Sequence, residues 1–290
     1  MKYVAPNSVE EAAGLLGSDP DARVFAGATD WIPQIRAGRQ EPGTMVDLKR
    51  IARLVDLGRQ DGKWTIGAAA PAASLTADAD FCADFPGLAE SAGLIGSDQI
   101  QNRASLGGNL CNASPAADTV PAMVVNDAQA VVVSERGTRR VPVIEIATGP
   151  GSTSLEPGEF VVEIEVDRPP ARTADAYLRL IPRTEMDIAV VGAAARITLD
   201  DNGDCSEAVI ALGAVAPTVV RVPAAEEALR GHPIDDTTLE AVAAAAAEAC
   251  DPIDDKRGTK AYRRQVAGVL AKRAVRIAAE RAQERQGGTV

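Results

Sequence analysis

Between Ser105 and Asp118 the chain reads SLGGNLCNASPAAD, which gathers two hydroxyls (Ser105, Ser114), two amides (Asn109, Asn112) and a carboxylate (Asp118) around paired glycines. Glycines let backbone N–H groups approach an anion closely, and short polar side chains add donors, so this set suits a phosphate. Paired glycines also form ordinary turns, because they admit φ > 0, so the segment by itself leaves a turn and a cradle both open. Gly27-Ala-Thr-Asp30 is a second stretch of the same kind, placed after a strand-like run and before a helical one. Two such loops facing a common cleft suit a dinucleotide, which has two phosphates to hold. Neither fits G-x-G-x-x-G or G-x-x-x-x-G-K-[ST], so the common nucleotide motifs lend no support.

Other chemistry is poorly supplied. His232 is the only histidine of the 290 residues and stands beside Pro233 in a polar loop, where a surface position is expected. A Ser-His or Cys-His pair would have to be built around it. Cys82, Cys111, Cys205 and Cys250 are scattered, form no C-x-x-C pair and read as free thiols, with no metal site. Redox work would therefore need a borrowed cofactor. With 30 Lys+Arg against 41 Asp+Glu, a net charge of −11 disfavours a nucleic-acid partner. No run approaches the roughly 18 apolar residues of a membrane span, and the amino terminus lacks a leader-like apolar stretch, so a cytoplasmic protein is expected.

The elements that must position these residues follow from pattern. Ser8-Val-Glu-Glu11 is a capping box opening a short helix, Arg23–Ala26 reads as a buried strand, Trp31–Ala37 as a helix and Met45–Leu48 as a strand. From Leu54, two alternating runs flank Asp61-Gly62, a strong hairpin signal. A helix is expected from Phe85 to Ile95, and strands at 128–133, 160–166, 189–199 and 208–214, with a turn at Asp201-Asn-Gly203. The segment 149–158 reads as the main internal loop. Thr237-Thr-Leu-Glu240 reads as a capping box for an alanine-rich helix ended by Pro252. A longer helix follows, with Tyr262, Val266, Val269, Leu270 and Ile277 expected on one face, serving core packing or partner docking. The fold class is α+β: a small α/β unit (1–55), a β-rich α+β unit (56–171), and a carboxy-terminal α+β domain (172–290) with antiparallel strands and a helical bundle.

Four segments, AGATDWIPQIRAG, IGSDQIQNRASLGGNLCNASPAADTVPA, PRTEMDIAVVG and DDKRGTKAYRRQVAGVLAKRAV, occur in this order over nearly the whole chain. Together they resemble the FAD-binding (medium) subunits of molybdenum hydroxylases, the group that includes xanthine dehydrogenases and aerobic carbon monoxide dehydrogenases. The resemblance implies that Ala26, Gly27, Ala28, Thr29, Asp30 and Trp31 form one loop, and Ser105, Leu106, Gly107, Gly108 and Asn109 another, holding the FAD pyrophosphate. It further implies that Ile95 and Gly96 line the cofactor pocket, that Asp118 accepts from a cofactor hydroxyl, that Val161 and Arg179 contact FAD, and that Ile188 lies against the isoalloxazine. Glu185 and Asp187 are the ionisable groups nearest that ring. Ala28 replaces a glycine of many relatives and is expected to keep φ < 0 or to shift the loop; Arg179 replaces a lysine and Ile95 an aromatic.

The activity implied is electron transfer from [2Fe-2S] clusters on a small iron-sulfur subunit, through FAD, to NAD+, a quinone or dioxygen, with the molybdenum cofactor on a large subunit. The assembly expected is a heterotrimer or a dimer of heterotrimers. No catalytic acid or base is needed on this chain, since the flavin carries the chemistry. A stand-alone flavoprotein oxidase and a scaffold subunit without FAD are the alternatives.

Overall fold

Three β-sheets, each drawn from a different stretch of sequence, organise the computed structural model, which describes residues 1–285. The first is parallel, in the order β1–β3–β2, with β1 Lys2–Val4, β2 Ala22–Phe25 and β3 Thr44–Asp47. Helix α1 (Val9–Ser18) crosses from β1 to β2, two parallel strands that leave room between them for β3. Ser8 caps it by accepting from Glu11 N at 3.1 Å, while the Glu11 carboxylate reaches back to Asn7 N rather than to Ser8 N. Helix α2 (Trp31–Arg36) leads from the β2 loop towards β3, and α3 (Ala52–Val55) ends this part.

The second sheet is antiparallel, β4–β5–β10–β6–β7, built from β4 Leu57–Gln60, β5 Lys63–Gly67, β6 Gln129–Ser134, β7 Gly137–Pro142 and β10 Phe160–Asp167. The small β8–β9 pair (Ala147–Gly149, Ser152–Thr153) lies within the stretch read from sequence as a loop. Asp61 and Gly62 take φ of 51° and 77°, the left-handed pair of a tight hairpin. Between β5 and β6 run α4 (Ala72–Ala77), α5 (Ala79–Asp84), α6 (Pro86–Gly93), α7 (Asp98–Gln101), α8 (Leu106–Cys111) and α9 (Thr119–Val125). Both faces of this sheet are covered. Ala130, Val132, Val161 and Ile164 point into one core with Phe81, Phe85 and Leu88, whereas Val131, Phe160 and Val162 point into a second core with α1 and Leu54. Each fully buried aromatic or aliphatic side chain there contributes about 1.5–3 kcal/mol.

The third sheet, β11–β12–β13–β14 (Thr173–Leu180, Val191–Leu199, Cys205–Gly213, Val220–Arg221), is antiparallel. One face carries Ala193, Ala195, Ile197 and Ile210 against α10 (Pro223–Leu229), α11 (Asp236–Glu248) and α12 (Lys260–Glu284); the other puts Tyr177, Ala194, Val209 and Ala211 into the core it shares with the second sheet. Two expectations are corrected here. Asp235, not Thr237, caps α11, accepting from Thr237 N and Thr238 N, while Thr238 Oγ1 accepts from Asp235 N in return. The buried stripe of α12 is Ala267, Leu270, Ala271, Ala274, Val275, Ala278 and Ala282, so of the expected face Leu270 is buried, Val266 and Ile277 are half-buried, and Tyr262 is exposed. Close approach to α11 and the sheet favours small side chains along the centre of the stripe, with Leu270 buried beside them and Val266 and Ile277 half-buried at its edge.

Asp175 on β11 joins the second and third sheets. It is 1% exposed and accepts from Gly87 N (2.8 Å), Leu88 N (3.0 Å) and Asn126 Nδ2 (2.8 Å), capping α6, which begins with Pro86 and has no side-chain cap of its own. Asp175→Ala strands these buried donors and should lower stability by about 2–4 kcal/mol. Urea unfolding tests this; a loss below about 0.5 kcal/mol, ordinary for a surface change, would contradict the clamp.

Candidate functional site

A cavity of about 370 Å³ opens where the first sheet meets the second. The β2–α2 turn supplies Ala26 to Trp31, the start of α8 supplies Ser105, Gly107, Gly108 and Asn109, and β10 supplies Phe160 and Val161 beside a bulge. Ile95 and Cys111 also line it. Bulges recur beside ligand sites because they re-aim side chains. Gly96, Leu106, Asp118, Arg179 and Ile188 lie outside the lining; Leu106 is in the core and Ile188 is half exposed.

The second loop is held from behind. Ala72 N donates to Ala104 O at 2.8 Å, and Ser105 forms a bridge with Pro71. A Cβ on Gly107 would meet Ala68 O at 2.5 Å, so only glycine lets the start of α8 seat on the segment leaving β5. The polar stretch expected as a loop is thus a helix start: Ser105 is its N-cap and accepts from Gly108 N at 3.1 Å. The first N–H groups of a helix lack acceptors within it, which makes this end of α8 suited to an anion.

The first loop packs directly on the second. A Cβ on Gly27 would stand 1.9 Å from Arg103 O and 3.0 Å from Ala104 N, immediately before Ser105. Ala28 takes φ of 57°, so of the two expectations, a negative φ or a shifted loop, the first is not met, and its carbonyl accepts from Ile32 N at 3.1 Å. The loop therefore keeps a left-handed residue at a cost of about 1–2 kcal/mol. Gln34 Nε2 of α2 donates to Asn112 Oδ1 just past α8, at 3.2 Å, a further link between the loops. Burial pushes the Asp30 carboxyl above its ordinary range, and it pushes the Cys111 thiol up to about 12, leaving that thiol protonated and unreactive.

Asn109 connects the cavity wall to a buried polar cluster. Its Oδ1 accepts from Thr119 N (3.2 Å) and Thr119 Oγ1 (2.7 Å), next to Asp118. Asp118 accepts from Tyr177 OH at 3.0 Å and from the Arg179 guanidinium at 2.6 Å, both on β11. Arg179 is 6% exposed in its side chain, a buried cation made tolerable by that carboxylate. Tyr177 was not singled out from sequence, and nothing near it in the chain signals the pairing. Glu185 is exposed, and Asp187 is engaged by Arg183 and Arg257 (3.2 Å each). His232 is exposed, remote in sequence from every lining residue, and all four cysteines are free. Among the described residues no group of His, Cys, Asp and Glu could hold a metal ion.

Residues 1–169 match the family model for the FAD-binding domain in molybdopterin dehydrogenase, and residues 176–278 match that for the carbon monoxide dehydrogenase flavoprotein C-terminal domain. The 6-hydroxypseudooxynicotine dehydrogenase complex subunit alpha of Paenarthrobacter nicotinovorans is 33% identical over 97% of this chain and 95% of its own length. The carbon monoxide dehydrogenase medium chain of Hydrogenophaga pseudoflava is 33% identical over 96% of each chain. In structure, carbon monoxide dehydrogenase from Hydrogenophaga pseudoflava superposes with a TM-score of 0.92 at 34% identity, covering 97% of this chain and 98% of that one. Quinoline 2-oxidoreductase from Pseudomonas putida 86 gives 0.90 at 29% identity, with the same coverage. The chain belongs to the FAD-binding subunit family of the molybdopterin dehydrogenases.

Proposed function

We propose that this chain is the flavin subunit of a multi-subunit molybdenum hydroxylase, receiving electrons from [2Fe-2S] clusters on a partner and passing them to NAD+, a quinone or dioxygen. The observation that carries this reading is the pair of anion-suited loops in backbone contact across one cavity, in a chain of this family. The donor set fits FAD: glycine-lined backbone and Ser105 for the phosphates, apolar Val161, Phe160 and Ile95 for ring systems. When bound, FAD exchanges electrons singly with clusters and as a pair with a two-electron acceptor.

The chain's own residues bind and orient. The Ala26–Trp31 loop and the Ser105–Asn109 turn would take the pyrophosphate, with Gly96 and Leu106 shaping the wall from behind. Asp118, steadied by Tyr177 and Arg179, would accept from a cofactor hydroxyl, and Arg179 and Ile188 would face the isoalloxazine end. The reading includes the three-part division at 55 and 171, which the three separate sheets support. It also includes a small iron-sulfur and a large molybdenum-cofactor partner, in a heterotrimer or a dimer of heterotrimers, and a cytoplasmic location. No described helix is long and apolar enough to cross a membrane. Ala28 does not favour a scaffold without FAD, since it holds the left-handed conformation that a glycine would supply.

Rapid mixing of the purified complex with its hydroxylation substrate tests the role. Loss of flavin absorbance near ~450 nm after the clusters are reduced, and its return on adding one acceptor, is expected of a flavin terminus. A flavin that stays oxidised while the clusters are reduced would contradict it.

Burial lifts the Asp118 carboxyl to about 6, although Arg179 and Tyr177 pull the other way. The folded value lies above the unfolded one near 3.8, so between them the folded chain holds the extra proton, and stability falls as pH rises through that window. From about pH 7 to about pH 4, the wild-type chain should gain about 2 kcal/mol relative to Asp118→Asn in flavin-free urea unfolding. Parallel pH profiles for the two proteins would contradict this environment for Asp118.

A further inference from the structure

We propose that Lys49 is a positioning residue for the first cradle loop, holding the Ala26 carbonyl so that Gly27 to Asp30 keep their orientation; this rests on the flavin reading of the cavity. Strand β3 ends at Asp47, which caps a single helical turn at Leu48–Arg50 by accepting from Lys49 N at 3.0 Å. That turn brings Lys49 Nζ to 2.7 Å from Ala26 O, 2.6 Å from Asp47 Oδ1 and 4.4 Å from the centre of the Phe25 ring. Phe25 and Ala26 are the last two residues before Gly27, so the ammonium grips the chain where β2 becomes the loop.

The grip is itself held. Asp47 Oδ2 accepts from Tyr3 OH at 2.8 Å, and the Tyr3 ring lies 6.3 Å from that of Phe25. Burial pushes the Asp47 carboxyl up, but the hydrogen bonds from Lys49 and Tyr3 outweigh it and leave the group below its ordinary range. Asp47 is therefore charged at neutral pH. Because its charge is balanced by Asp47 and its donors point to Ala26 and Phe25, Lys49 acts through the loop and not as a phosphate ligand.

The loop needs such an anchor. Ala28 sits at φ 57°, a conformation alanine leaves when unconstrained, and the Gly27 contact with Arg103 fixes only one side. Without a donor on Ala26 O, the strained turn can relax and its N–H groups lose their common direction. A charge-assisted hydrogen bond to a partly buried carbonyl is strong enough to oppose this.

Two readouts on the full chain test the proposal. In flavin-free protein, Lys49→Met should speed amide hydrogen exchange across residues 26–31 by about tenfold, with other segments unchanged. In FAD-loaded protein, the same substitution should speed FAD release by about tenfold. Lys49→Arg should restore part of both. Exchange at the wild-type rate in Lys49→Met overturns the proposal, as does faster exchange with FAD release unchanged. A wild-type chain that takes up no FAD would defeat the flavin reading instead, and exchange would still decide whether Lys49 holds the loop. Should Lys49→Met fail to fold, Tyr3→Phe, which removes only an exposed hydroxyl's hold on Asp47, is read on the same two measures, with about two- to threefold effects expected and unchanged rates overturning the proposal.

Discussion

The contact of Gly27 with the backbone at Arg103 and Ala104 is the constraint on which the site depends. It brings the end of a parallel strand against the residues that precede a helix start nearly eighty positions later. Neither loop could cradle a dinucleotide alone, since two phosphates and two ring systems need donors from both sides. The contact also explains the supporting structure: Ala72 and Pro71 hold Ala104 and Ser105 in place, and Gly107 seats the helix start on Ala68. A methyl group at position 27 would force one of these backbones to move, and the cavity between them would change shape.

Behind the cavity, buried charges join the parts of the chain. Asp175 ties β11 to the start of α6, and the Asp118–Tyr177–Arg179 cluster ties the same strand to the start of α9. Buried carboxylates are costly unless satisfied, and each of these is satisfied from a different element. Such pairs confer registry: moving β11 by one residue would turn Asp175 and Tyr177 to the wrong face of the sheet. The third sheet is thereby fixed relative to the second, and with it the segment from Arg179 to Ile188.

Much of the local structure was legible in the residues. Asp61-Gly62 marked its hairpin, Ser8 its helix, and the β2 run its strand, because turn chemistry and periodicity act over a few residues. The helix start at Leu106 was not legible, since paired glycines argue against helix until Ser105 is seen as a cap. Strand β11 was missed because both faces are buried and its alternation is lost. The alanine stripe of α12 was not legible, since alanines carry a weak periodic signal beside Leu270, Val266 and Ile277, and Tyr262 at the helix start is exposed. At the site, glycines and short polar side chains drew attention to the two loops, but Tyr177 and Lys49 carry no local signal. Their partners lie 59 and 23 residues away, and only the folded backbone brings them together.

The most direct measurement is the amount of FAD bound per chain, read from the visible spectrum and from the flavin released on denaturation, for the wild type and for Gly27→Ala. The account predicts about one FAD per wild-type chain, in line with the motifs a flavin imposes on its site. It predicts a much lower content in the variant, because the added methyl separates the two loops. A wild-type chain that stays colourless after FAD is added, or a variant that binds as much as the wild type, would contradict it.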